Sequence, residues 1–189
     1  MRFVVIGLGN IGQKRQKILG KNLVYTIDPF NTDADFEEIA SVSTDKYDAA
    51  IISTPSQVKI DLINYLISKN KHILVEKPLI FKNRKEYEEI KKQIEVKGLT
   101  LYTSYNHRYE SSIIKLKEFL DEGLLGDIYS VEMFYGNGTS QNVIGSWRDN
   151  EMGIVEDLCC HLVDLTMLLF PQVSLNFKTI QKEKYECNS

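Results

Sequence analysis

The sequence predicts an α/β fold in which a parallel sheet forms the first domain and a second α/β segment follows. Short apolar runs alternate with amphipathic helical segments from residue 1 to about residue 105. These runs show little polar alternation, as expected for strands that helices cover on both faces. Alternating strands and helices imply right-handed crossovers, which make the sheet parallel. After residue 110 the pattern changes to a helix, one long strand and another helix.

Each element of the first domain has a local reason. Apolar residues recur at helical spacing over Val58–Ile67, which predicts a helix there. Asn83 with Glu86 three residues later resembles a capping box, so a second helix should start there and end at Gly98. The predicted strands are Arg2–Ile6, Asn22–Ile27, Ala49–Ser53, His72–Glu76 and Leu99–Thr103.

The second half has a different organisation. Helical segments are predicted around a long strand and a polar loop, and we place the domain boundary near residues 105–110. The expected domains are therefore 1–106 and 107–189. The elements predicted here are the helix Ser111–Glu122, the strand Asp127–Tyr135, the helix Val155–Phe170 and a further strand Val173–Ile180.

Composition excludes several classes of protein. Hydrophobic residues make up 43% of the chain and charged residues 26%, which is ordinary for a globular protein. The formal net charge of −3 is small and the two signs are well mixed, so no nucleic-acid partner is expected. No apolar run approaches the roughly 20 residues of a membrane span, so no membrane partner is expected. The 3 cysteines include an adjacent pair and make a poor disulfide framework, which favours a reducing, cytoplasmic location.

A glycine-rich loop stands where a phosphate site is expected. Gly7-Leu8-Gly9-Asn10-Ile11-Gly12 follows a predicted strand and opens a predicted helix. Gly7 permits a tight turn, Gly9 allows a diphosphate to approach the backbone, and Gly12 lets the helix pack closely on the strand. The next strand ends in Asp28, whose carboxylate would accept hydrogen bonds from the adenine ribose. Because Asp28 would repel a 2′-phosphate, and no arginine follows it directly, we expect NAD rather than NADP.

Further short motifs indicate a family. The chain resembles the Gfo/Idh/MocA oxidoreductases, which include glucose–fructose oxidoreductase and inositol dehydrogenase. The resemblance rests on several short motifs in family order: the glycine loop, Asp28, Ser53-Thr54-Pro55, Glu76-Lys77-Pro78, Tyr105-Asn106-His107-Arg108, Gly123 with Gly126, Trp147-Arg148, and the helix carrying Asp157, His161 and Asp164.

This resemblance implies a Rossmann domain followed by an α/β domain with an open, mostly antiparallel sheet. It also implies a nicotinamide dinucleotide, a sugar, polyol or nucleotide-sugar substrate, and pairing of copies through the C-terminal sheet. Family members are usually much longer, so the second domain should be incomplete here. We expect a truncated product, a piece of a longer protein, or a subunit that a partner completes.

Lys77 is the first candidate catalytic residue. It lies just beyond a strand that should reach the carboxyl edge of the sheet, where ligands bind in α/β proteins. A lysine there can stabilise negative charge on a reacting oxygen, although most lysines are simply solvated. The turn position and the resemblance suggest that the Lys77–Pro78 bond is cis, which is uncommon at X–Pro bonds.

His161 and Asp157 are the second candidate catalytic group. They are four residues apart on one predicted helix and should share a face, with Asp164 close to it. A carboxylate raises the basicity of an imidazole, so His161 could exchange the substrate's hydroxyl proton, or the pair could be purely structural. Cys159 and Cys160 point about 100° apart on a helix, so we expect no metal here.

The predicted cofactor contacts also include positions with a plain structural alternative. The pair Trp147-Arg148 could instead fill a domain seam, and Asn106 could be only a turn residue. Lys59 departs from the family, which often has histidine at that position. The full set of predicted cofactor-binding residues is Gly7, Gly9, Asn10, Ile11, Gly12, Asp28, Ser53, Thr54, Pro55, Glu76, Lys77, Asn106, Trp147 and Arg148.

The sequence thus supports an NAD-dependent dehydrogenase that transfers hydride between nicotinamide and a hydroxyl or keto carbon. A catalytically silent NAD-binding module is the alternative, and a structural remnant without NAD is the third. The substrate, the direction of reaction and the oligomeric state stay open at this level.

Overall fold

The computed structural model describes residues 1–136 and 155–173. The chain divides into two compact units, Met1–Ser104 and Tyr105–Ser189. In the described residues, no helix has both the length and the apolar character needed to cross a membrane.

The first unit contains a parallel sheet. Its strands run in the order β2-β1-β3-β4-β5 within the described residues, and every neighbouring pair is parallel. The predicted parallel α/β sheet is therefore confirmed. Because the second strand lies on one side of the first and the third on the other, the strand order reverses at β1, where α/β proteins bind ligands. The strands are β1 (Phe3–Ile6), β2 (Leu23–Ile27), β3 (Ala49–Ile52), β4 (His72–Glu76) and β5 (Leu101–Ser104).

Three helices connect the strands: α1 (Asn10–Leu19), α2 (Lys59–Ser68) and α3 (Arg84–Val96). The capping prediction at α3 is correct, because the Asn83 side chain accepts a 3.0 Å hydrogen bond from the Glu86 amide. The reciprocal bond differs slightly, since the Glu86 carboxylate accepts from the amide of Lys82 rather than of Asn83. Gly98, in the turn after α3, has φ +61°, in agreement with its predicted role as a stop.

Both faces of the sheet are buried. Val4 and Ile6 of β1 belong to the larger apolar cluster, together with residues of α2 and α3. Val5, between them, belongs to a second cluster with Leu8 and Ile51. Burial on two faces explains why these strands lack polar alternation in the sequence.

The second unit contains the predicted helices, which are α4 (Ser111–Asp121) and α5 (Cys160–Leu169). A 3₁₀ turn, Asn106–Tyr109, precedes the first, and a π-helical turn, Val155–Cys159, precedes the second. The expected helix over 155–170 is therefore present but does not have α geometry throughout. Pro171 follows its end, as the sequence indicates.

The predicted second sheet is not shown. Asp127–Tyr135, expected as a strand, has no regular secondary structure, and the side chains of Tyr129 and Phe134 are 93% and 94% exposed. A strand needs a paired backbone, and the candidate neighbour over 173–180 lies beyond the described residues except for Val173. The antiparallel sheet therefore stays an expectation from the resemblance.

Candidate functional site

The glycine loop adopts a conformation that requires residues without a side chain at two of its positions. Gly7 has φ +90°, and a Cβ there would lie 2.7 Å from the carbonyl oxygen of Ser53. A Cβ on Gly12 would lie 1.8 Å from the carbonyl oxygen of Gly7, so α1 can approach β1 only with glycine at this position. Gly9 is different, because a Cβ on it would meet no atom of the described residues within 4 Å. The space above Gly9 is open, as the approach of a diphosphate requires.

The first N–H groups of α1 have no partner within the helix itself. Gly9 caps the helix without a side-chain hydrogen bond, and the first turn contains no acidic residue. Nearby, the hydroxyls of Ser53 and Thr54 are buried and have no hydrogen-bond partner among the residues that the structure describes. Buried polar groups normally have partners, so these orphaned hydroxyls point to a polar ligand. Together with the open space at Gly9, they fit the diphosphate of a dinucleotide.

Asp28 has more partners in the structure than the sequence predicted. Its Oδ2 accepts a 2.7 Å hydrogen bond from the amide of Leu8, inside the glycine loop. Its Oδ1 accepts from the amides of Phe30 and Asn31, at 2.9 and 3.1 Å. A carboxylate has about four acceptor sites, so a ribose hydroxyl can still bind beside these bonds. Asp28 therefore fixes the loop in addition to its predicted role.

Glu76, predicted to contact the cofactor, forms an ion pair within the first unit. Arg15 on α1 donates from Nε to Glu76 Oε1 at 2.6 Å, and also donates to the Ser104 hydroxyl at 2.6 Å. The Glu76 side chain is only 15% exposed. This contact joins α1, β4 and β5, and no pattern in the sequence singles out Arg15 for it.

Lys77 follows β4 and is half-buried. The peptide bond between Lys77 and Pro78 is cis, as predicted. Behind this turn lies Lys59, which is 2% exposed and donates to the carbonyl oxygens of Glu76 and Pro78 at 2.6 and 2.8 Å. From the sequence, Lys59 stands out only as a departure from the family, and no local pattern indicates this contact.

His161 lies in an aromatic pocket of the second unit. It is 4% exposed, and its ring is edge-on to that of His107 with the centroids 4.4 Å apart. The rings of Tyr135 and Tyr105 lie 5.7 and 6.0 Å away. His107 Nε2 is 3.1 Å from the Tyr135 hydroxyl, and its Nδ1 contacts the Glu110 carboxylate. Burial raises the pKa of Tyr105 to about 12, so its phenol keeps its proton at neutral pH.

Asp157 and Asp164, which the sequence places near the face of His161, have different surroundings. Asp157 and His161 are both buried, and Asp157 belongs to the π-helical turn, where hydrogen bonds span five residues rather than four. Asp164 forms a two-point ion pair with Arg108, whose Nε lies 2.7 Å from its Oδ2. The predicted pairing of Asp157 with His161 stays a prediction.

Other predicted positions carry less information. Asn10, Ile11, Pro55 and Asn106 are exposed, and Asn106 begins a 3₁₀ turn in the second unit. Trp147 and Arg148 lie outside the described residues. Within the described ranges, Cys159 and Cys160 form no disulfide, and no group of three His, Cys, Asp or Glu side chains is arranged to hold a metal ion.

The sheet order, the glycine loop and the carboxylate after β2 are those of a Rossmann-type fold. Residues 1–105 match the family model described as "Oxidoreductase family, NAD-binding Rossmann fold", and residues 113–185 match the Gfo/Idh/MocA C-terminal domain. The chain belongs to the Gfo/Idh/MocA family.

Similar proteins include inositol dehydrogenases. The chain is 29% identical over 137 residues to scyllo-inositol 2-dehydrogenase (NADP(+)) of Bacillus subtilis, covering 70% of this chain and 38% of that protein. It is 25% identical over 142 residues to myo-inositol 2-dehydrogenase of Thermotoga maritima, covering 67% of this chain and 42% of the relative.

A solved structure shows the same fold. The scyllo-inositol dehydrogenase of Lactobacillus casei, with bound NAD(H) and scyllo-inositol, aligns with a TM-score of 0.75 at 19% identity, over 89% of this chain and 56% of that one. The chain therefore spans only about half, or less, of the length of these relatives.

Proposed function

We propose that this chain is part of an NAD-dependent dehydrogenase acting on a CH–OH group of a sugar, polyol or nucleotide-sugar derivative. The observation that carries the proposal is the cradle at the strand-order reversal. There, within the part of the chain that the structure describes, the space at Gly9 is open, and the buried hydroxyls of Ser53 and Thr54 have no hydrogen-bond partner. The Asp28 carboxylate accepts a hydrogen bond from the Leu8 amide of the same loop. When bound, the nicotinamide dinucleotide supplies the hydride acceptor or donor.

NAD is the favoured cofactor because of charge. Residues 28–35 contain Asp28, Asp33 and Asp35 and no lysine or arginine. A 2′-phosphate would therefore meet like charge and no cationic partner, whereas ribose hydroxyls can donate to Asp28. The relatives' names do not decide this choice, since one carries NADP(+) in its name and another was solved with NAD(H).

Lys77 is proposed to hold the reacting oxygen. Its ammonium group would donate a hydrogen bond to the substrate hydroxyl and would stabilise the negative charge that develops as the proton leaves. Its position directly after β4, at the carboxyl end of the sheet, supports this role.

His161 is proposed to exchange the hydroxyl proton, with Asp157 orienting it or raising its basicity. In the oxidation direction, a ring nitrogen of His161 would accept the proton of the substrate hydroxyl, while the hydrogen on the same carbon would leave as the hydride that a bound dinucleotide accepts. The burial of His161 among aromatic rings supports this role, because a shielded imidazole keeps a fixed orientation.

The alternative is a catalytically silent NAD-binding module or subunit. It is favoured by one observation, the coverage of only 38% to 56% of the compared proteins.

Two measurements on the purified full chain separate these proposals. Titration calorimetry with NAD and NADP measures binding, and a screen of polyols, sugars and nucleotide sugars measures formation of NADH at 340 nm. Binding with turnover supports the dehydrogenase, and binding without turnover supports the silent module. Absence of NAD binding contradicts both.

A further inference from the structure

Lys59 is a buried cation whose ammonium group is directed at the backbone. It begins α2, is 2% exposed, and donates to two carbonyl oxygens, those of Glu76 at 2.6 Å and Pro78 at 2.8 Å. These two carbonyls flank Lys77 on either side. Burying an ammonium group is costly unless it is well paired, so such a contact strongly constrains the atoms that it joins.

The same turn is held from another direction through a side chain. Arg15 of α1 donates to the Glu76 carboxylate at 2.6 Å and to the Ser104 hydroxyl. The backbone on both sides of Lys77 is therefore bonded to α2, and the preceding side chain is bonded to α1. Lys77 itself lies between these anchors, so the position of its Cα is determined by charged residues on other elements.

We propose that Lys59 is a positioning residue for Lys77. Its ammonium group fixes the Glu76-Lys77-Pro78 turn so that the Lys77 side chain is presented at the carboxyl end of β4. This inference rests on the proposed function for the catalytic role of Lys77, whereas the backbone constraint itself does not depend on that function. Catalysis is sensitive to such constraints, since a misplacement of about 1 Å can reduce turnover by about 10²-fold.

The chain contains a matched control at the opposite end of the same strand. Lys71 directly precedes β4, and its ammonium group donates to the carbonyl oxygens of Thr44 and Tyr47 at 2.6 and 2.7 Å. Lys59→Met and Lys71→Met therefore remove the same kind of interaction, an ammonium group bonded to two backbone carbonyls. Only the first removes it at the turn that carries Lys77.

The test compares wild type, Lys59→Met and Lys71→Met as full-length proteins by hydrogen–deuterium exchange, followed by mass spectrometry of the segment 74–82. Loss of the two charged hydrogen bonds should accelerate exchange in this segment about tenfold or more in Lys59→Met. Lys71→Met should leave exchange there unchanged. If Lys59→Met does not fold, Lys59→Gln removes the charge and keeps an N–H donor.

The kinetic part uses any substrate found in the screen. We expect kcat to fall by about 10²-fold in the Lys59 variant, with the NAD dissociation constant within about twofold of wild type, and no change in kcat for Lys71→Met. Unchanged exchange over 74–82, or equal acceleration across the whole first unit, overturns the positioning role. If wild type shows no turnover, the proposed function fails, and the exchange experiment still decides whether Lys59 fixes the turn.

Discussion

Gly9→Ala tests whether the glycine loop binds a diphosphate or only permits a turn. Gly9 has φ −63° and ψ −174°, which alanine adopts easily, and an added Cβ would meet no atom within 4 Å in residues 1–136 and 155–173. The substitution should therefore leave the free energy of unfolding within about 0.5 kcal/mol of wild type. The new methyl group would nevertheless occupy the space through which we expect the diphosphate to approach.

The expected loss of affinity follows from the hydrogen bonds that the methyl group would prevent. A backbone N–H bond to a charged phosphate oxygen contributes about 1.5–3 kcal/mol, so the loss of one such bond raises the dissociation constant about 10- to 10²-fold. Thermal unfolding and calorimetry with NAD measure the two quantities on the same sample. An unchanged Tm together with a weakened affinity is the predicted combination.

Gly12→Ala provides the contrast within the same loop. Its Cβ would lie 1.8 Å from the Gly7 carbonyl oxygen, which must move by more than 1 Å to reach an ordinary contact distance. Overpacking of this kind costs about 1–3 kcal/mol or more and outweighs the roughly 1 kcal/mol that alanine gains over glycine inside a helix. Gly12→Ala should therefore lose both stability and affinity. Wild-type affinity in Gly9→Ala, at wild-type Tm, would refute the phosphate-loop interpretation.

Three further predictions concern individual polar side chains. Asp28→Asn should weaken NAD binding and lower the Tm, because an uncharged side chain holds the Leu8 amide less strongly. Calorimetry measures the NAD affinity and thermal unfolding measures the Tm, and wild-type values for both would contradict the prediction. His161→Asn should reduce turnover about 10²- to 10⁴-fold while the NAD dissociation constant stays nearly unchanged, whereas wild-type turnover would exclude His161 as the proton acceptor. Hydrogen bonds from Arg2 hold the pKa of Asp48 at about 2, below its ordinary value of 3.8, so this stabilisation is present above pH 4 and is lost as the pH falls toward 2. Asp48→Asn should consequently show a smaller loss of Tm than wild type between pH 5 and pH 2, and equal losses would contradict the assignment.

The parallel sheet and the glycine loop could be predicted because their signals are local. Two-sided burial gives each strand a short apolar run, and the loop requires glycines at fixed spacing between a strand and a helix. The cis bond at Pro78 was predictable for a related reason, since the motif that contains it is a short contiguous string.

The contacts that fix these groups could not be predicted, because they join residues that are distant in the sequence. Asp28 was identified by its position after β2, but its bond to Leu8 depends on how β1 and β2 pair. Lys59 and Arg15 gave no local signal, since a lysine or arginine at the start or middle of a helix is usually solvated. His107 was part of a quoted motif, and only the fold shows that its ring packs on that of His161.

The strand expected over Asp127–Tyr135 illustrates a different limit. Its apolar residues have the composition of a strand, and composition alone cannot supply the neighbouring backbone that pairing requires. Helices α4 and α5, whose hydrogen bonds are internal, were predicted in the same unit, although the α geometry of α5 begins only at Cys160. In this unit the helices are therefore found where the sequence places them, whereas the strand is not shown.

The distribution of the proposed groups over the two units makes binding and chemistry experimentally separable. Most of the proposed cofactor contacts, and the residues that fix them, belong to Met1–Ser104, whereas His161 and Asp157 belong to Tyr105–Ser189. Changes in the glycine loop should therefore act mainly on the dissociation constant, and changes at His161 mainly on kcat. A wild-type chain that binds NAD without turnover would consequently locate the deficiency in the substrate-binding part rather than in the glycine loop, because the loop would already have bound its ligand.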